Sequence, residues 1–213
     1  MFDHLKGQDD GVWYEIFEQN PYGVMADEIV GKIVIDIGGH FGFFSILANN
    51  MGAKMIIAAE ANPINFVKYV QNTRDYYNIK AINAACTANT GDLITINNDG
   101  GHSAVGKGDT SVSTVAFTDV LSWIPPGDEA ILKMDIEGAE YPIFEGTYPQ
   151  VFRRFNHIYA ELHGHQARNL ADYIVNTCGF KITRVFTFYD HETGIPIDDA
   201  VFKFERVGAI TSL

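Results

Sequence analysis

Cysteine is scarce in this sequence, which contains only Cys86 and Cys178 among its 213 residues. Two cysteines cannot build the disulfide framework of a small secreted domain, and neither has the spacing of a metal site. We therefore expect both to be buried thiols in a reducing compartment.

Basic residues are also few: 15 lysines and arginines stand against 27 acids, which gives a formal net charge of -12 at pH 7. A nucleic-acid binder normally gathers Lys and Arg on one face to replace phosphate counterions. We therefore do not expect DNA, RNA or an anionic membrane as a partner. A small nucleotide-like ligand held by neutral backbone groups remains compatible with this charge.

Long apolar runs are missing as well, since no segment approaches the roughly 20 residues that span a bilayer. The first residues, "MFDHLKGQDDG", have neither the basic start nor the apolar run of an export signal. We expect a cytoplasmic protein of one globular domain, in which residues 1–30 form an N-terminal helical extension and 31–213 form the main domain. A helix over 11–30 is expected to pack on that domain.

Short β-branched runs alternate with helical stretches from Gly31 onward, and this alternation is typical of parallel strands joined by crossover helices. We predict an α/β, Rossmann-like three-layer sandwich with a seven-stranded, mostly parallel sheet and an antiparallel last strand. The predicted strands are 32–37, 54–60, 81–85, 129–136, 157–162, 181–190 and 200–207. The predicted helices are 43–51, a helix that begins at Asn62 and Pro63, one from about Ala139, and 166–176. An inserted hairpin is expected from 91–97 and 112–117, with the Gly- and Ser-rich loop 98–111 as a mobile tip.

A glycine-rich turn follows the first strand in "VIDIGGHFGFFS", residues 34–45. In open α/β sheets the ligand lies beyond the carboxyl ends of the strands, where Asp36, Gly38, Gly39 and Gly42 fall. The glycines allow close backbone approach, and the following helix start offers amides to a polar ligand. A phosphate-binding loop is excluded because no Gly-Lys-Ser/Thr follows, and a dinucleotide fingerprint fails because its first glycine would fall on Ile37.

Glu60 ends the second strand and lies 24 residues after Asp36. A carboxylate at this place can accept hydrogen bonds from both hydroxyls of a ribose, as in nucleoside-binding Rossmann-like domains. The alternative is a solvated strand end with no ligand.

Four motifs together resemble the FkbM-type family of class I S-adenosylmethionine-dependent methyltransferases, over about residues 31–186. They are D-x-G-x-x-x-G-x-x-S from Asp36 to Ser45, "EANP" at 60–63, "KMDIEGAE" at 133–140 and "ELHG" at 161–164. The resemblance implies transfer of a methyl group from S-adenosylmethionine to a hydroxyl oxygen of a small molecule or sugar. It places the cofactor against Asp36, Gly38, Gly39, Gly42, Glu60, Ala61 and Asp135. The sequence departs from the commoner "E-P-N-P" at Ala61 and from Gly-Ala-Asn at residues 38–40.

Polar residues at the ends of the fourth and fifth strands are the candidates for catalysis. Lys133 and Asp135 share one side of a strand, as do Glu161 and His163, because alternate residues face alike. His163 is the first candidate for a general base because imidazole titrates near neutral pH, and Asp135 is its rival. An Asp, Glu and His cluster could also hold a divalent metal that binds a vicinal diol, but we expect a metal-free site.

Two other functions remain open from the sequence. One is a nicotinamide-dependent oxidoreductase on a similar sheet, against which the missing fingerprint glycine counts. The other is a non-catalytic module that keeps the cofactor pocket. The identity of the acceptor depends on loops such as 98–111, whose shape no motif dictates.

Overall fold

The computed structural model describes residues 5–97, 108–189 and 193–208. Within these ranges the strands are β1 (Ile33–Ile37), β2 (Met55–Glu60), β3 (Ile79–Asn83), β4 (Ala85–Thr87), β5 (Leu93–Ile96), β6 (Thr110–Ala116), β7 (Ala130–Met134), β8 (Phe155–Leu162), β9 (Phe180–Tyr189) and β10 (Pro196–Arg206). The helices are α1 (Asp10–Tyr14), a π-helical turn (Glu15–Gln19), α2 (Ala26–Ile29), α3 (Phe43–Asn50), α4 (Pro63–Thr73), α5 (Phe117–Ser122), α6 (Glu140–Gly146), α7 (Pro149–Phe152) and α8 (Ala167–Cys178). None of these helices is long and apolar enough to cross a bilayer.

The main sheet has seven strands in the order β3-β2-β1-β7-β8-β10-β9. Parallel pairing joins β3 to β2, β2 to β1, β1 to β7 and β7 to β8, whereas β10 runs antiparallel to both β8 and β9. The predicted fold class is therefore confirmed. The strand order reverses between β1 and β7, because the chain leaves β1 toward β2 and returns on its other side, and a crevice opens at such a switch point.

Two apolar cores cover the two faces of this sheet, which gives the three layers. Ile33, Ile35 and Ile37 of β1 contribute to one core with residues of α5, α6 and α8. Val34, on the other face, packs in a second core with Phe43 and the rest of α3. All five residues of β1 are buried, which explains why the strand has no polar alternation.

The helix that follows β2 begins as its sequence predicts. The side chain of Asn62 accepts a hydrogen bond from the amide of Ile64 at 2.9 Å, and Pro63 occupies the first helical position. At the other end of the chain α8 stops at Gly179, whose φ of +84° is left-handed.

The N-terminal segment, residues 5–30, differs from the single helix expected over 11–30. It contains α1, which continues directly into a π-helical turn, and α2, which follows after a loop that starts at Asn20. Pro21 disfavours helical geometry at the residue before it, and Asn20 adopts a left-handed φ of +47°. The Asn20 side chain closes this loop, because it donates to the carbonyl of Val24 and accepts from the amide of Val24. The segment does pack on the sheet, with Trp13 and Ile16 in the second core.

The inserted segment forms a small second sheet in the order β4-β6-β5. The predicted hairpin is present, since β5 and β6 pair antiparallel, but β6 also pairs in parallel with β4, which the sequence did not indicate. The greater part of the loop 98–111, expected to be mobile, lies outside the described residues. The last strand begins at Pro196 rather than at 200, with an irregular register between Pro196 and Ala200.

Candidate functional site

A cavity of about 430 Å³ opens at the carboxyl ends of β1, β2, β7 and β8, a size suited to a small ligand. Its wall includes these residues expected from the sequence to form the site: Gly38, Gly39, Glu60, Ala61, Lys133, Asp135 and Glu161. Three further expected residues, Asp36, Gly42 and His163, are not part of this wall. The structure thus brings the predicted residues to one edge of the sheet but sets some of them behind the surface.

The glycine turn after β1 brings two strands into close contact. Gly38 has a φ of +83°, and a Cβ at this position would lie 1.8 Å from the carbonyl oxygen of Asp135. The amides of Gly38 and Gly39 both donate to the carbonyl of Ala59, at 2.9 and 3.1 Å. These two amides are therefore engaged within the protein. Gly38 lets the ends of β1 and β7 approach each other, and Gly39, where a Cβ would lie 2.7 Å from the ring of Tyr69, lets α4 pack against the turn.

Asp36 lies below this turn and is fully buried. Its carboxylate accepts a 2.6 Å hydrogen bond from the hydroxyl of Ser45, which itself accepts one from the hydroxyl of Tyr69. Burial raises the pKa of Asp36, while the charge of Lys133 and the Ser45 hydrogen bond lower it. This geometry fixes the start of α3 against β1.

Glu60 is the buried acid at the tip of β2. Its two carboxylate oxygens accept hydrogen bonds from the amides of His40, at 2.7 Å, and Asn62, at 2.8 Å. Burial raises the pKa of Glu60 to about 7, against the lowering effect of these two hydrogen bonds. A carboxylate offers about four lone-pair sites, so acceptor capacity remains on the side that lines the cavity.

Lys133 ties the turn to the end of β7. Its ammonium donates to the carbonyl of Gly38 at 2.8 Å and lies 3.4 Å from a carboxylate oxygen of Asp135. Burial alone would lower the pKa of Lys133, but the charges of Asp135 and Asp36 raise it above its ordinary value. The side chain is a cation at neutral pH and cannot accept the proton of a substrate.

His163 is surrounded by acids. Its Nδ1 lies 3.0 Å from Oε1 of Glu140, and its Nε2 lies 3.6 Å from both Glu137 and Glu161 and 3.8 Å from Asp135. Burial would lower the pKa of His163, but the hydrogen bond and charge of Glu140, with the other acids, raise it to about 10. An imidazolium has no lone pair for a proton, so this environment weakens the case for His163 as the general base.

The N-terminal segment supplies part of the cavity wall, which the sequence did not reveal. It contributes Asp9, Gly11, Val12, Glu15 and Ile16. The hydroxyl of the buried Tyr22 donates to Asp135 over 3.4 Å. No motif marks these residues, because their place in the wall depends on how the segment folds across the sheet.

A buried ion pair holds this segment on the sheet. The ammonium of Lys203 lies 2.6 Å from Glu28 and donates to the carbonyl of Gly23, and the hydroxyl of Tyr159 donates to Glu28 at 2.7 Å. Although burial opposes ionisation, these hydrogen bonds lower the pKa of Glu28 below its usual value. The wall of the cavity is thus anchored by β8 and β10.

Cys86 also lines the cavity but has no sign of reactivity. Burial raises the pKa of its thiol to about 12, so it stays protonated at neutral pH. Both Cys86 and Cys178 are free and buried, as expected.

Solved methyltransferase structures share this fold. Methyltransferase FkbM from Methylobacillus flagellatus KT superposes with a TM-score of 0.54 at 14% identity, over 89% of this chain and 47% of that chain. M. capricolum TrmK, solved with S-adenosyl-homocysteine, gives 0.55 at 12% identity, over 92% and 71% of the two chains. An rRNA methylase from Streptococcus thermophilus gives 0.52 at 11% identity, over 86% and 92%. At these identities the likeness concerns the fold.

Curated proteins include no significant match to the sequence. The family comparison is more informative, because residues 36–182 match the model of the methyltransferase FkbM domain. This match covers more than half of the chain and contains the glycine turn, Glu60 and the acids that follow β7. The chain therefore belongs to the FkbM methyltransferase family.

Proposed function

We propose that this protein transfers a methyl group from S-adenosylmethionine to a hydroxyl oxygen of a small molecule or sugar. The observation that carries the proposal is Glu60, a buried carboxylate held by two backbone amides beside the glycine turn and facing a cavity of about 430 Å³. In a chain of this family, such an acid is suited to accept hydrogen bonds from two ribose hydroxyls.

S-adenosylmethionine, when bound, supplies a methyl group that is already activated by the positive charge on sulfur. The protein then has to align the acceptor, exclude water and receive the acceptor's proton. Gly38, Gly39 and Ala61 line the cavity beside Glu60, where the donor would bind. Asp135 lies on the same wall and is our preferred proton acceptor, because Lys133 and His163 are both cationic. Lys133 and Tyr22 position Asp135 through contacts of 3.4 Å each.

The charge of the cavity wall favours a neutral acceptor over a polyanion. Among the described residues of the wall, Lys133 contributes a positive charge. Six carboxylates line the same wall: Asp9, Glu15, Glu60, Asp135, Glu137 and Glu161. A phosphodiester chain would be repelled by these acids as well as by the net charge of -12. A hydroxyl of a sugar or another small molecule meets no such repulsion.

Calorimetry with S-adenosyl-homocysteine tests the donor site, with a reduced nicotinamide dinucleotide as the comparison ligand. We expect binding of the first and none of the second. Folded protein that binds neither, or only the dinucleotide, would overturn the proposal. Release of S-adenosyl-homocysteine from the methyl donor, measured against a panel of sugars and small hydroxyl compounds, then separates an enzyme from a cofactor-binding module.

A further inference from the structure

We infer that Asp135, Glu161 and His163 form a binding site for one divalent metal ion at the rim of the cavity. Each side chain offers one ligand atom, and the three atoms all lie within 4.8 Å of one another. Nε2 of His163 is 3.6 Å from Glu161 and 3.8 Å from Asp135. These separations exceed a direct hydrogen bond, yet they are close to the spacing of neighbouring ligands around one ion at roughly 2.0 to 2.2 Å from each.

The ring of His163 is oriented as metal-bound imidazoles are. Its Nδ1 meets Glu140 at 3.0 Å, and the same Glu140 oxygen accepts the amide of Ile136 at 2.9 Å. A carboxylate behind one ring nitrogen keeps the proton on that nitrogen and directs the other nitrogen to the ion, which on binding displaces the proton that Nε2 carries in the metal-free protein. Here that other nitrogen, Nε2, faces the carboxylates of Asp135, Glu137 and Glu161.

Two carboxylates in this cluster lack the partners that buried acids normally have. Glu140 is fully buried, and its Oε2 has no hydrogen bond within the described ranges. Glu161 has a side chain only 15% exposed, and its carboxylate makes no hydrogen bond in the same part of the chain, where its one charged contact is His163. Carboxylate oxygens of Asp135, Glu137 and Glu161 lie 3.8, 3.6 and 3.6 Å from the same Nε2 of His163, so three acids converge on one point. A bound cation would balance this excess of negative charge.

The ligand set indicates the kind of ion. Two carboxylates and one imidazole suit Mn²⁺, Fe²⁺ or Zn²⁺ better than Ca²⁺, which prefers six to eight oxygen ligands. Three protein ligands leave coordination positions open toward the cavity. In that case the ion can bind a hydroxyl oxygen of the acceptor and lower its pKa. This role rests on the proposed methyl transfer, whereas the binding of the ion does not.

The inference departs from the metal-free site expected from the sequence. The motifs "KMDIEGAE" and "ELHG" show acids and a histidine but not which ring nitrogen faces the acids. That orientation depends on Glu140, which begins α6 one turn after β7 and reaches across to His163.

Titration of the metal-free protein with Mn²⁺, followed by the electron paramagnetic resonance signal of the free ion, tests the site. We expect one ion bound per chain. Glu161→Gln and His163→Gln should each weaken binding about ten-fold or more. His165→Gln, an exposed histidine two residues on, is the matched control and should bind Mn²⁺ as the wild type does.

An unchanged Mn²⁺ signal with the wild-type protein would overturn the site, as would full binding by Glu161→Gln. The wild-type measurement and Glu161→Gln decide the matter if His163→Gln fails to fold, since Glu161 makes no hydrogen bond to the described part of the chain that the fold would lose. Calorimetry with S-adenosyl-homocysteine on the same samples keeps the two proposals apart. Retained binding of that compound without Mn²⁺ binding rejects the metal site alone.

Discussion

Replacement of Glu60 by Gln is the sharpest test of the proposed donor site. The substitution keeps the shape of the side chain but removes its charge. Hydrogen bonds to charged groups contribute about 1.5 to 3 kcal/mol each, so the loss should weaken S-adenosyl-homocysteine binding roughly 10- to 150-fold at pH 8. The amide of Gln has one acceptor oxygen, so it cannot accept from both His40 and Asn62, which now bond to Glu60 at 2.7 and 2.8 Å.

The affinity for S-adenosyl-homocysteine should also depend on pH through the carboxylate of Glu60. With a pKa of about 7 in the folded protein, Glu60 is largely protonated at pH 6 and ionised at pH 8. The ionised form accepts charge-assisted hydrogen bonds, which are stronger than those of the protonated form, so wild-type affinity should rise through pH 7 and that of Glu60→Gln should not.

Folding stability should change in the opposite direction. The folded pKa of Glu60 lies above its unfolded value, so its contribution is fully present below pH 4.5 and is lost as pH rises to 7. The difference corresponds to about 3 kcal/mol. Glu60→Gln should lack this loss, which urea unfolding at several pH values would measure.

Calorimetry from pH 6 to pH 8 provides the affinity assay, with Glu145→Gln as a control because Glu145 is an exposed acid on α6. The ribose assignment is refuted if Glu60→Gln binds S-adenosyl-homocysteine within two-fold of the wild type at pH 8. A flat wild-type affinity across this range would refute the pH argument.

Three further changes test the structure around the cavity. Gly38→Ala should prevent stable folding because its Cβ would lie 1.8 Å from the carbonyl oxygen of Asp135. Gly91→Ala, which has a similar φ but open space around it, should lower the free energy of unfolding in urea by only about 1 to 2 kcal/mol, and equal losses for the two variants would contradict this reasoning. Lys203→Met should lower the free energy of unfolding by about 3 to 5 kcal/mol because it leaves Glu28 buried without its cation, and a loss below 1 kcal/mol would show that the pair does not hold the N-terminal segment. Ser45→Ala should cost about 1 to 3 kcal/mol in the same assay because a fully buried carboxylate loses its donor, and no change would mean that this hydrogen bond is dispensable.

The strands and helices of the main sheet were predictable because their signals are local. The buried run of β1 and the Asn62-Pro63 start of α4 specify structure through neighbouring residues. The parallel pairing followed from the alternation of strands and helices, since parallel strands require crossover connections, but the order of the strands was not predicted. Pairing of β6 with β4 was not predictable, because it joins residues far apart in the chain through backbone groups that carry no sequence signal.

The candidate site was predictable in position but not in orientation. Strand ends placed Glu60, Asp135 and Glu161 at one edge, since the carboxyl ends of parallel strands meet there. The direction of each side chain depends on tertiary partners. Asp36 turns toward Ser45, away from the cavity wall, and His163 turns its Nδ1 toward Glu140. No spacing in the sequence distinguishes these arrangements from their alternatives.

The segment that precedes β1 has a practical consequence for dissecting this protein. The family match begins at residue 36, so a fragment cut at that boundary would keep the glycine turn but discard the first three residues of β1, together with the residues from Asp9 to Ile16 that close one side of the cavity. It would also strip Tyr22 from Asp135 and leave Lys203 facing water. Fragments that lack the N-terminal segment should therefore admit solvent to the cavity, and only a cut before Ile33 would keep β1 whole.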